Sequence, residues 1–75
     1  MYIRREGEDM QGISIGERLI HLRGDQSRET VASAVKVTPS AIAMYEQNRR
    51  TPRDHIKVAL AKYYGVTVEE LFFSA

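Results

Sequence analysis

The segment Ser27–Arg53, SRETVASAVKVTPSAIAMYEQNRRTPR, constrains the fold more than any other part of the chain. Ser27 is a good helix cap, and Val31, Ala32 and Val35 follow at the spacing of one helical face. Three residues after Val35 comes Thr38, a second cap. Pro39 then stands at the first helical position, where its missing N–H costs nothing. The spacing predicts a third helix from Pro39 to about Gln47, with Ala41, Ile42 and Tyr45 facing inward and Ser40, Ala43, Met44 and Gln47 on the other side. Lys36-Val37 is left to make the turn, with Val37 directed at the core. Two short helices joined by three or four residues form a tight pair with a fixed crossing. Behind them, Asn48-Arg49-Arg50-Thr51-Pro52-Arg53 carries three positive charges and no acid.

The rest of the chain is helical by the same reasoning. Ser14-Ile15-Gly16-Glu17 is a capping box that opens a first helix to about Arg23, with Ile15, Leu19 and Leu22 at i, i+4 and i+7 and Gly24 as its stop. After Pro52 a fourth helix runs from about Arg53 to Tyr64, with Ile56, Leu60, Ala61 and Tyr64 inward and Gly65 as its cap. Thr67-Val68-Glu69-Glu70 is a second capping box and opens a short final helix ending in Leu71-Phe72-Phe73. No strand pattern, repeat or low-complexity tract is present. Residues 1–12 have no helical period and read as a flexible N-terminal arm; residues 13–75 read as one all-α domain.

Composition narrows the functional classes. The chain of 75 residues has no cysteine, which excludes disulfides and thiolate metal sites. No apolar run approaches the roughly 18 residues of a membrane span, and the N-terminus lacks the apolar core of a signal peptide. A cytoplasmic location is expected, with no membrane partner. His21 and His55 share no ligand spacing, and no nucleophile–base order, carboxylate pair or glycine-rich phosphate loop stands out. The expectation is a protein that is not an enzyme and needs no metal or cofactor. Net charge is only +1, but Arg18–Lys62 holds nine basic residues against four acids, a net of +5. The remaining acids lie toward the two ends. Such asymmetry marks a binding face for a polyanion.

The ordered set Ser27-x-x-x-Val31-Ala32, Val35-x-Val37-Thr38, Ile42, Glu46-x-Asn48-x-x-x-Pro52, extended by Leu60-Ala61 and Gly65-Val66-Thr67-Val68-Glu69-Glu70-Leu71, resembles the phage-repressor-like (XRE) helix-turn-helix family. The resemblance covers roughly Ile15–Phe73. It implies a compact five-helix, lambda-repressor-like DNA-binding domain, with the third helix in the major groove, and a cytoplasmic, nucleoid-associated protein of bacterial or phage origin that binds double-stranded DNA as a homodimer. Two positions depart from the family pattern: Lys36 and Asn48 stand where glycine is usual. Asn tolerates a left-handed backbone, whereas Lys36 with positive φ would cost about 1 kcal/mol.

On that frame, Pro39, Ser40, Ala43, Met44 and Gln47 are the candidates for base contact. Ser40 can donate or accept, and Ala43 and Met44 can pack on thymine methyls. The bidentate pairings of Arg, Asn or Gln are missing from the first turns, so DNA shape should carry part of the specificity. Ser27 and Arg28, at the positive end of the second helix, and Asn48, Arg49, Arg50 and Arg53 are the candidates for phosphate contact. Glu46 is expected in a structural salt bridge with an arginine of the loop or of another helix. Leu71, Phe72 and Phe73 cannot all face one small core, so this segment is the candidate dimer interface. A sequence-specific transcriptional regulator, a repressor, follows. Two other readings stand beside it: a protein-interaction module, such as an antitoxin or a regulator's partner using the apolar C-terminal face, and a helical domain from a longer protein.

Overall fold

A computed structural model describes residues 13–73, and within them the chain forms five helical elements in order: α1 (Ile15–Arg23), α2 (Arg28–Val35), α3 (Pro39–Glu46), α4 (Asp54–Tyr64) and a final wide turn, α5 (Glu69–Phe73). There is no strand among the described residues. The arm expected at residues 1–12 lies outside them.

Local chemistry starts the helices. Ser14 accepts from the Glu17 N–H, and Glu17 reaches back to the Ser14 N–H at 2.9 Å, closing the capping box of α1. The Ser27 hydroxyl accepts from the Thr30 N–H and the Thr38 hydroxyl from the Ala41 N–H, so α2 and α3 begin at the expected residues. At α4 the cap is Arg53, one residue earlier than the helix proper, and its side chain makes no capping bond. Thr67 and Glu70 exchange the bonds of the second capping box.

Left-handed residues stop three of the helices. Lys36 has φ 65° and ψ 46°, and Val37 N–H returns to the Ala32 carbonyl. Asn48 has φ 59° where α3 ends, and the Arg49 N–H bonds the Met44 carbonyl while the Asn48 N–H bonds that of Tyr45. Gly65, with φ 73°, closes α4 in the same way, through Val66 N–H to Ala61. These are six-to-one closures that satisfy carbonyls the helix leaves over.

One core joins the elements. Leu19 of α1, Val31, Ala32 and Val35 of α2, Ala41, Ile42 and Tyr45 of α3, and Ile56, Leu60 and Ala61 of α4 are buried together with Leu71 and Phe72 of α5. Ile15, Leu22, Val37 and Tyr64 pack around them. α2 and α3 pack on each other, α3 also on α1, α2 on α4, and α1 on α5.

The last element differs in kind from the expected α-helix. It is a π-type turn over Glu69–Phe73. A π-turn places more residues in each revolution, so successive side chains are separated by a smaller angle. Leu71 and Phe72 both point inward, as the adjacent pairs Val31-Ala32, Ala41-Ile42 and Leu60-Ala61 also do in the α-helices. This corrects the C-terminal interface: Leu71 (1 % exposed) and Phe72 (6 %) belong to the core of this chain, and Phe73 at 64 % is the side chain left outside.

Candidate nucleic-acid interface

The positions of α2 and α3 follow from a polar cluster beneath them. Glu46, the last residue of α3, has a side chain only 1 % exposed. A buried carboxylate must be paired or it costs several kcal/mol. Here Arg23, at the end of α1, donates Nε to Glu46 Oε2 at 2.6 Å and Nη2 to Oε1 at 3.2 Å. Arg28, the first residue of α2, donates Nε to the same Oε1 at 3.0 Å. Arg23 also donates Nη1 to the Gln26 carbonyl at 2.8 Å, which fixes the loop between α1 and α2. The bond to Glu46 holds the Arg23 guanidinium above its ordinary pKa, against the opposing effect of burial. The expected salt bridge of Glu46 thus forms with helix arginines, and the loop arginines take no part.

A second link joins the start of α1 to the end of α3. Gly16 lies against α3 so closely that a Cβ there would overlap the Glu46 carbonyl oxygen and come within 2.7 Å of its carbon. Asn48 holds this contact: Oδ1 accepts from the Gly16 N–H at 2.9 Å and Nδ2 donates to Ser14 Oγ at 2.9 Å. Asn48 was expected on a phosphate. The residue is exposed, but its amide group is instead committed to Gly16 and Ser14 at the start of α1.

The remaining predicted residues share one side. Pro39, Ser40, Met44 and Gln47 are exposed and Ala43 is half-buried. Ser40, Ala43 and Met44 lie at i, i+3 and i+4 and therefore on one face of α3. A shallow groove between α2 and α3 is lined by Ser27, Arg28, Glu29, Pro39, Ser40 and Ala43, with Arg23 at its edge. The Ser27 hydroxyl is spent on the α2 cap, but the first N–H groups of any helix lack an intrahelical acceptor and carry the positive end of the dipole. Arg28 commits only Nε to Glu46, keeps a side chain 40 % exposed, and retains both Nη groups for an outside acceptor. Beyond the other end of α3, Arg49, Arg50 and Arg53 are all exposed, and Pro52 is buried between them. The face of α3 carries no exposed charge, with three exposed arginines past one end and Arg28 beside the exposed Glu29 at the other.

A helix-turn-helix family model matches residues 23–71, about two thirds of the chain. The chain belongs to the helix-turn-helix family. The matched segment runs from the arginine that clamps Glu46 to the leucine that enters the core from α5. Among solved structures, the P22 c2 repressor, crystallised in complex with a synthetic operator, is similar in fold: TM-score 0.80 and 22 % identity, over 84 % of this chain and 98 % of that one. The restriction-modification controller protein C.AhdI from Aeromonas hydrophila has a TM-score of 0.71 and 27 % identity, over 85 % of this chain and 97 % of that one. No curated protein matches this helix-turn-helix chain in sequence. Its five-helix lambda-repressor-like fold is the one the sequence implied.

Other features of this helix-turn-helix domain lie away from that face. Arg18 is buried and donates Nη1 to the Leu71 carbonyl at 3.1 Å, tying α5 to α1. The Lys57 ammonium sits over the Phe72 and Phe73 rings, 5.7 and 5.0 Å from their centroids. Tyr63 is exposed and its hydroxyl donates to Gln26 Oε1. No group of three His, Cys, Asp or Glu side chains that could hold a metal occurs among the described residues, and no helix there is long and apolar enough to cross a membrane.

Proposed function

We propose that the chain is a sequence-specific double-stranded DNA-binding transcriptional regulator, acting as a repressor, with α3 in the major groove. The observation that carries the reading is the placing of charge. Three exposed arginines stand past one end of the outward face of α3 and half-buried Arg28 stands beside its other end, and the face between has no exposed charge of its own. A duplex presents this arrangement in complement, with phosphates on either side of a groove whose floor is uncharged base edges. Arg28 and the first N–H groups of α2 take the backbone on one side. Arg49, Arg50 and Arg53 take it on the other, and Pro39, Ser40, Ala43, Met44 and Gln47 face the bases. The resemblance of the fold to an operator-bound repressor and to a restriction-modification controller protein supports the same reading.

The regulator acts as a homodimer on a two-fold site, with recognition helices about 34 Å apart, one turn of duplex. Phe73, exposed beside Lys57 at the end of the chain's core, is the anchor of that association. A genomic selection for bound DNA, repeated at several salt concentrations, tests the function. It should return a two-fold motif whose affinity falls steeply with salt. Recovery of no preferred sequence at any salt refutes it and favours a protein-interaction module instead.

A further inference from the structure

The recognition face of α3 has an uneven chemistry. From Pro39 to Glu46 the one charged side chain is Glu46, and it is buried under Arg23 and Arg28. The outward residues of the helix are Pro39, Ser40, Ala43 and Met44, with Gln47 following at its end. Guanine is read best by Arg or Lys and adenine by Asn or Gln, each through a two-bond fork. Pro39–Glu46 carries none of these, and the one such side chain nearby, Gln47, lies past the far end of the helix. Ser40 has one hydroxyl that either donates or accepts, so it does not separate the O4 acceptor of thymine from the N4 donor of cytosine. What an alanine methyl and a thioether can detect is another methyl group. Met44 is 42 % exposed, flexible and polarisable, suited to closing on a small apolar knob.

We propose that this face reads the C5-methyl group of pyrimidines as such, so that its operator is defined by thymine, or by 5-methylcytosine in its place. The inference rests on the placing of α3 in the major groove argued above, and deepens it. Thymine and 5-methylcytosine carry the same methyl at the same ring position and differ only along the polar edge. A face that responds to the methyl and only weakly to that edge therefore accepts both, and rejects uracil and unmodified cytosine.

The test starts from the duplex recovered by selection with the full chain. Each thymine in the segment under α3 is replaced in turn by uracil, and the same pairs are then replaced by cytosine·guanine and by 5-methylcytosine·guanine. Burying one methyl-sized group corresponds to about fourfold in affinity. Uracil should therefore weaken binding about fourfold at each methyl that is read, and 5-methylcytosine should bind about fourfold better than cytosine at the same place. Met44→Ala, a change at an exposed position, should shrink both ratios toward one. A selected duplex indifferent to its methyls overturns the inference while the DNA-binding function stands. So does a Met44→Ala protein whose ratios equal those of the wild type. Failure to select any duplex overturns the DNA-binding reading itself, and this inference with it.

Discussion

Lys36 and Asn48 share a backbone conformation, φ 65° and φ 59°, yet replacing each by glycine should move stability in opposite directions. At Lys36 the left-handed backbone is strained by about 1–2 kcal/mol for an ordinary L-residue. Glycine removes that strain but adds freedom to the unfolded chain worth about 0.4–1 kcal/mol. The Lys36 side chain is exposed and makes no hydrogen bond or ion pair, so nothing else is lost. Lys36→Gly should therefore stabilise by several tenths to about 1 kcal/mol, which is about 2–8 °C in Tm for a domain of this size. Lys36→Ala keeps the strain and removes only the side chain, so it should leave Tm close to that of the wild type.

Asn48 begins with a smaller strain, since Asn enters this region more readily. Its amide also makes two bonds of 2.9 Å, to the Gly16 N–H and to Ser14 Oγ. Leaving the partly buried Gly16 N–H without an acceptor costs about 1–3 kcal/mol, more than glycine recovers. Asn48→Gly should destabilise by about 1 kcal/mol or more. Thermal and urea unfolding followed by circular dichroism would measure all three variants. The reasoning is refuted if Lys36→Gly lowers Tm while Lys36→Ala does not, or if Asn48→Gly raises it.

Arg50→Ala should weaken binding to all DNA sequences about equally and lower the slope of log affinity against log salt by about one unit, with Arg49→Ala and Arg53→Ala behaving alike; unchanged slopes in all three would show that this loop does not hold phosphate. Ala43→Glu should abolish specific binding in a protein that still unfolds cooperatively, and retained operator binding would move the reading face elsewhere. Burial, assisted by the nearby Glu46 carboxylate, pushes the Tyr64 phenol from 10.0 up to about 12. The protonated form is thus favoured by folding: its contribution to stability is complete below about pH 10 and is lost as pH rises toward 12. Tyr64→Phe should remove that alkaline loss in urea titrations, and an identical pH profile would count against it. Phe73→Ala should shift sedimentation toward monomer with little change in Tm, because the ring is outside the core; a wild type that is already monomeric at high micromolar concentration removes Phe73 from the interface.

Much of this fold could be read from the chain because its signals are local. Ser14, Ser27, Thr38 and Thr67 cap within three residues, and each does so in the structure. The inner faces of α2 and α3 were likewise set by spacing alone. The site was less legible where it depends on contact between distant residues. Gly16 and Asn48 meet across 32 positions, and no local pattern shows that a glycine in a first helical turn is there because a carbonyl passes over it. α5 could not be anticipated as a π-turn, since its inward pair, Leu71 and Phe72, is selected by the space left beside α1 and α4.

Two buried charges, by contrast, did leave a signal in the sequence. Arg18 stands at i+3 from Ile15 and directly before Leu19, and Glu46 at i+4 from Ile42 and directly after Tyr45, so the period that marks the apolar residues places both charges on inner faces. An interior position for a charge requires a partner, and the chain offers arginines in excess. Glu46 takes two of them from two other helices, and this gives the carboxylate a role beyond neutralisation. It fixes the end of α3 to the end of α1 through Arg23, and the start of α2 to both through Arg28. Either arginine alone leaves the carboxylate paired, but losing both would leave an unpaired buried charge, and breaking a buried pair costs about 3–5 kcal/mol, a large part of the stability of a domain this small. The same carboxylate that holds the fold also sets the distance between the outward face of α3, proposed to read bases, and the guanidinium of Arg28. In the proposed function, readout and backbone grip are therefore built on one buried anion, and a change at Glu46 should affect both together.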